Sequence, residues 1–154
     1  EIQGANIAPG YLLNVIANIE RFREAWLHTG DIVRIDEDGF LFIEGRISRF
    51  AKIGGEMVPI DAVERQIETI LSKLDRSNNI AISTSHDEQK GEKLVLFSDE
   101  GFTSTELRTL LSKESIPNLW IPRDVIHLPS IPKLASGKID YTQLNETCSQ
   151  RLTA

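Results

Sequence analysis

The sequence predicts an α+β fold, a sheet of about three strands plus a hairpin, covered by helices. Three observations carry that prediction. Residues 59–74 repeat apolar side chains at helical spacing, with Val63, Ile67, Ile70, Leu71 and Leu74 on one face. Two β-branched or aromatic runs, residues 32–35 and 40–43, flank a glycine-containing turn over 36–39, which is a hairpin signature. Residues 79–83, 93–98 and 124–128 are rich in β-formers and alternate with helix-period segments.

In chain order, residues 1–27 read as a strand remnant, a turn at Pro9 and Gly10, and an apolar stretch of unclear period. The hairpin follows over 31–47. The polar interruption Ile47, Ser48, Arg49 then precedes a second apolar run over 50–53, and the domain junction is placed here, dividing the chain into 1–47 and 48–154. Gly54 and Gly55 permit either a tight turn at positive φ or the close approach of a ligand. The helix over 59–74 places Asp61 and Glu64 near its positive end and Lys73 near its negative end. Residues 86–91 form a charged turn between two strands. A second helix over 103–113 has Thr103 or Ser104 as N-cap, Glu106 reaching back, and Leu107, Leu110 and Leu111 inward. Pro117 and Pro122 frame an irregular link anchored by burial of Trp120. A strand over 124–128 and a last helix over 141–152, with Leu144, Cys148 and Leu152 inward, complete the chain.

The 154 residues suit one modest core, and the net charge of -6 argues against a nucleic-acid binder, which would need a basic excess. A single cysteine rules out a disulfide framework and a cysteine metal cluster. His28, His86 and His127 lack paired ligand spacing, so no metal site is expected. There is neither a GxSxG nucleophile motif nor an apolar run long enough to span a bilayer.

Three positions invite chemistry. The stretch IPKLASGKIDYTQL, residues 131–144, presents Lys138 on a short turn built by Ser136 and Gly137, with Pro132 upstream and Asp140 able to cap a helix beginning at Tyr141. Its ammonium suits a phosphate or a developing anionic oxygen, although on spacing alone it reads more readily as a solvated surface lysine. Asp31, after Gly30 at a strand start, either accepts from two neighbouring sugar hydroxyls or stabilises a turn. Arg46, at the end of the second hairpin strand, offers a forked guanidinium, or forms a weak surface ion pair with Glu44 or another carboxylate.

Three stretches in order, HTGD at 28–31, EGRISRFAKIGGEMVPIDAVE at 44–64 and PKLASGK at 132–138, resemble the adenylate-forming superfamily of acyl-CoA synthetases, luciferases and peptide-synthetase adenylation domains. The resemblance implies that residues 1–47 are the tail of a large N-terminal adenylation domain and 48–154 a small mobile C-terminal lid, inactive without the rest. It assigns Asp31 and Arg46 to ATP, with magnesium arriving through ATP, and makes Ser48 the hinge, where many relatives carry aspartate or lysine. Lys138 would stabilise charge as an acyl-adenylate forms. After rotation of the lid, Lys52 would enter the site while Gly54 and Gly55 line a tunnel for a pantetheine thiol; an exposed strand lysine and a plain hairpin turn are the simpler readings of these residues.

Within the superfamily, RFAKIGGEMV, KGEKLVLFS and IPRDVIHLPSIPKLASGKIDY resemble the acyl-acyl carrier protein synthetase domain of bacterial 2-acylglycerophosphoethanolamine acyltransferases. That implies a fatty acid substrate, acyl carrier protein as acceptor, lysophospholipid acylation in an adjoining domain, and a full-length protein at the inner membrane with this part facing the cytoplasm. Arg46, Arg49, Lys52 and Arg65 are the basic patch expected to meet an acidic carrier protein. A coenzyme A ligase and a non-catalytic carrier-protein-binding module are the alternatives.

Overall fold

A computed structural model describes residues 1–76 and 79–152. The chain divides into two compact units, Glu1–Ser48 and Arg49–Ala154.

The first unit opens with a helix that the sequence reading lacks. α1 (Val15–Arg21) begins at Asn14, whose side-chain oxygen accepts the Ala17 amide at 3.0 Å. Its 7 residues are too few for a 3.6-residue period to stand out. β1 (Phe22–Arg23) and β2 (Trp26–Leu27) form a minimal ribbon, and Ile2 bridges to Leu27. β3 (Asp31–Ile35) and β4 (Leu41–Arg46) form the expected antiparallel hairpin, with a register shift between Ile32 and Val33. Asp36 explains the turn between them: its Oδ1 accepts the amides of Asp38 at 3.1 Å and Phe40 at 2.8 Å. No residue of this unit is buried.

The second unit holds a five-stranded sheet. β5 (Phe50–Ile53) and β6 (Glu56–Pro59) are an antiparallel hairpin joined by Gly54 and Gly55, with Ile53 opposite Glu56. Both glycines have positive φ, 61° and 91°, the condition for a two-residue primed turn that matches strand twist. The pair thus forms the tight turn that its glycines permit. β6 is absent from the sequence reading because its four residues carry one buried side chain and end in a proline. β7 (Ile80–Asp87) and β8 (Gly91–Ser98) pair along their whole length, so the charged turn shrinks to residues 88–90. β9 (Asp124–His127) runs parallel to β8, and β5 meets the start of β8 through Ile53 and Gly91.

Helices cover both faces of the sheet. α2 (Ile60–Lys73) and α3 (Ser104–Leu111) bring Val63, Ile67, Ile70, Leu71, Leu107 and Leu111 against Ile80, Ile82, Leu94 and Leu96. α4 (Tyr141–Leu152) brings Leu144 and Cys148 against Ala81, Val95, Phe97 and Ile126 on the opposite face. The central strands are therefore apolar on both sides and read as continuous runs. Leu74 does not join the inward face expected of it, because α2 stops at Lys73 and Leu74 caps the helix, half exposed. α3 carries the foreseen capping box: Thr103 Oγ1 accepts the Glu106 amide at 3.1 Å, and Glu106 Oε2 accepts the Thr103 amide at 2.8 Å. Trp120, in a single 3-10 turn over Asn118–Trp120, is partly buried against the first core cluster.

Candidate functional site

Strand register brings the two nucleotide candidates together. Asp31 lies directly opposite Arg46 across the β3–β4 ladder, and Arg46 Nε stands 3.3 Å from Asp31 Oδ1. Of the carboxylates that could pair with Arg46, the partner is Asp31, while Glu44 takes Arg34 at 3.1 Å. Cross-strand partners face one another more closely than next neighbours along a strand, which decides the pairing. The Asp31 side chain is only 24% exposed, and its own amide donates to Thr29 Oγ1 at 3.2 Å. Arg46 is 70% exposed, so its remaining donors stay available. Beside the pair is a cavity of about 350 Å³ lined by Arg21, His28, Thr29, Gly30, Arg46 and Ser48. A carboxylate acceptor next to a guanidinium donor at the rim of a cavity, which Glu20 and Ile47 also line, is able to meet a hydroxyl and an anion.

Ser48 is exposed within a single 3-10 turn, Ile47–Arg49, and the division between the two units falls directly after it.

Lys138 occupies a well-defined hairpin. Lys133 bridges Ile139, the Leu134 amide donates to Lys138 O at 2.8 Å, and the Gly137 amide donates to Leu134 O at 2.8 Å. Gly137 has φ 83°, the left-handed residue that closes a three-residue hairpin loop. Ile131 at the loop's start is buried, and at its end Asp140 Oδ1 accepts the Gln143 amide at 3.1 Å, capping α4 as foreseen. Lys138 itself is exposed and has no ion pair among the described residues. The backbone is pinned and the ammonium is free to meet an anion.

Lys52 is exposed on β5 opposite Met57, and its amide donates to Glu92 Oε2 at 2.5 Å. The Gly54 amide donates to Lys90 O at 2.9 Å, tying the glycine turn to the β7–β8 turn. At that junction is a small cavity of about 110 Å³ lined by Ile53, Lys90, Lys93, Arg108 and Arg123. Lys93 is spent on Asp124 and Arg123 on Asp87, each at 2.9 Å, whereas Lys90 and Arg108 have no ion pair among the described residues. Sequence reasoning missed this cavity, since its basic side chains come from β8, α3 and two loops.

Arg49 is not the surface cation expected for the carrier-protein patch. It turns inward: Nε reaches Asp61 Oδ1 at 2.6 Å, Nη2 reaches Glu64 Oε2 at 3.0 Å, and Nη1 donates to Ile82 O at 2.8 Å. Its guanidinium lies 3.9 Å from the centre of the Tyr141 ring, whose hydroxyl donates to Glu64 Oε1 at 2.8 Å. Burial, reinforced by the Glu64 carboxylate, pushes the Tyr141 phenol well above its usual range, so it stays a donor. The signal for this cluster was present as Asp61 and Glu64, three apart on one helix face.

Among the described residues no cluster of acidic, histidine or cysteine side chains is arranged to hold a metal ion.

No protein-family model matches the chain. It is 34% identical over 147 residues to a 2-succinylbenzoate–CoA ligase of Listeria monocytogenes, covering 94% of this chain and 30% of that protein. It is 35% identical over 144 residues to an oxalate–CoA ligase of Arabidopsis thaliana, covering 90% and 27%. Among solved structures, o-succinylbenzoate CoA synthetase of Bacillus subtilis, bound to its acyl-adenylate intermediate, superposes with a TM-score of 0.70 at 27% identity, over 92% of this chain and 29% of that one. The chain belongs to the adenylate-forming superfamily. Its α+β fold is that of the superfamily's C-terminal domain. It spans about 30% of the length of the curated relatives it matches. A further structure of the same Bacillus enzyme holds ATP and magnesium.

Proposed function

We propose that residues 48–154 are the mobile lid of an ATP-dependent acid–thiol ligase, with residues 1–47 the end of its larger adenylating domain and Ser48 the hinge. The observation that carries this reading is Lys138, an exposed ammonium without an ion pair among the described residues, at the tip of a hairpin whose backbone is fixed on both sides. In the first half-reaction a carboxylate oxygen attacks the α-phosphorus of ATP, the bond to pyrophosphate breaks, and Lys138 offsets the charge that develops. Asp31 would hold a ribose hydroxyl and Arg46 a phosphate, while magnesium would enter with ATP. In the second, a thiol sulfur attacks the acyl carbon, AMP leaves with the bonding pair, and the thiol proton passes to solvent. Lys52 and the Gly54–Gly55 turn belong to this second pose.

Coenzyme A is the acceptor we favour. The curated relatives are named as CoA ligases, and the cavity beside the glycine turn presents Lys90 and Arg108, cations suited to a phosphate. The carrier-protein reading, with its fatty acid, lysophospholipid and inner-membrane setting, rested on a sequence resemblance, and the basic patch expected with it loses Arg49 to Asp61 and Glu64. Among the described residues no helix is long and apolar enough to cross a membrane. The test is ATP-dependent thioester formation by the whole protein with a panel of carboxylic acids, offering coenzyme A and pantetheinylated carrier protein in competition. Preferential acylation of coenzyme A supports the proposal. Preference for carrier protein moves the acceptor to the second reading, and no product with either leaves a binding module.

A further inference from the structure

The inward cluster around Arg49 has a placement that its contribution to folding does not explain. Arg49 is the first residue after Ser48, and Tyr141 is the third after Lys138. Between them Glu64 accepts from Tyr141 through Oε1 and from both Arg49 and the Ile82 amide through Oε2, at 2.8, 3.0 and 2.7 Å. Asp61 takes Arg49 Nε, and Ile82 O takes Nη1, so each nitrogen of the guanidinium has a partner and one of its faces rests on the Tyr141 ring. A fully satisfied network of this kind is stiff, because any one opening leaves a shielded charge without its partner.

We propose that Arg49, Glu64 and Tyr141 form a clasp that makes the Lys138 loop one rigid body with the chain leaving Ser48, so that rotation there is delivered to the lysine without slack. The proposal rests on the lid reading for its use, though not for its mechanics. The hairpin over 133–139 is short, and Asp140 adds one further backbone bond, its amide donating to Pro132 O at 2.9 Å. Tyr141 is the point where that assembly is fastened to α2 and to the first residue of the unit. Tyr141 and Glu64 are thus positioning residues, acting through the loop rather than on substrate.

Tyr141→Phe keeps the ring on Arg49 and deletes only the bond to Glu64; Glu64→Gln keeps an acceptor for Tyr141 and removes the charge that holds Arg49. Amide hydrogen exchange on the chain, followed residue by residue, reads the mechanics. Tyr141→Phe is expected to speed exchange at Leu134, Gly137 and Asp140 by about tenfold or more, the scale of one lost bond to a charged group, while β7 and β8 amides hold their rates. Glu64→Gln should act on the same three amides, and the double variant should add little to either single change. Unchanged loop amides in both variants would overturn the clasp, as would an equal acceleration throughout the sheet, which marks a merely structural contact. In the whole protein, Tyr141→Phe is expected to lower the adenylation kcat about tenfold with the ATP KM within twofold; an unchanged kcat despite a loosened loop would overturn its use in positioning. A wild-type rate in Lys138→Ala would sink the lysine assignment instead, and the exchange data alone would then decide the clasp.

Discussion

The two units were built by different rules. From Arg49 onward, α2, α3 and α4 sandwich a sheet whose central strands are apolar on both faces, and every buried hydrophobic side chain of the described chain lies there. Before Arg49 nothing is buried: Leu12 and Leu13 are 90% and 95% exposed, and Val15, Ile16, Ile19, Phe40 and Ile43 are also uncovered. Exposed apolar side chains in that number are unusual on a soluble domain. The second unit owns its core, whereas the first, on our proposal, borrows one from the larger domain it completes.

Substitutions in the two units test that contrast, beginning with the largest expected effect. Ile67→Ala removes a fully buried side chain from α2 and should cost about 2–5 kcal/mol of the chain's stability in urea. Ile19→Ala, on α1 of the other unit, should stay within about 0.5 kcal/mol in this chain. A loss of 2 kcal/mol or more from Ile19→Ala in the whole protein would show the borrowed cover directly. Equal losses for both substitutions in the 154-residue chain would break the distinction.

Gly54→Ala comes next. Nothing lies within 4 Å of the added Cβ, so the cost is conformational, about 1 kcal/mol for a side chain at φ 61°. Gly54→Asn separates turn from tunnel, since asparagine tolerates that backbone while filling the space beside it. Retained folding and adenylate formation with slowed thioester transfer is the expected pattern; unchanged transfer would leave Gly54 as a turn residue only.

Thr103→Ala breaks the capping box of α3 and should cost about 1 kcal/mol in a urea titration. Its partner Glu106 gives the smallest effect. The Thr103 amide and then its hydroxyl hold the Glu106 carboxyl below its ordinary value. A carboxylate depressed in the folded state contributes stability that is present above its unfolded pKa and lost as pH falls through the lower folded one. Glu106→Gln should therefore lose a little stability at neutral pH, flatten the acid limb as pH falls through the usual carboxylate range, and converge with wild type at the lowest pH.

These contrasts also decide what could be read from residues alone. α2 was legible because one face buries Val63, Ile67, Ile70 and Leu71 while Asp61 and Lys73 match its dipole. The β3–β4 hairpin was legible through Asp36 and Gly39, whose side-chain and backbone preferences make the turn. α1 was not, because its 7 residues are too few for a helical period to stand out, and β6 was not, because pairing with β5 rather than side-chain alternation defines it. At the candidate site the residue types of Asp31, Arg46 and Lys138 were legible one by one. Register alone placed Arg46 against Asp31 rather than Glu44, and only the folded chain shows Arg49 drawn inward from the surface patch expected of it.

The central claim is that Lys138 serves adenylate formation and Lys52 serves transfer. The most direct measurement is acid-dependent exchange of labelled pyrophosphate into ATP by the whole protein, wild type beside Lys138→Ala and Lys52→Ala. The account predicts a loss of about a hundredfold or more in Lys138→Ala, the scale of removing one charge-stabilising donor, with Lys52→Ala close to wild type in exchange and impaired only in thioester formation. Wild-type exchange in Lys138→Ala would contradict it.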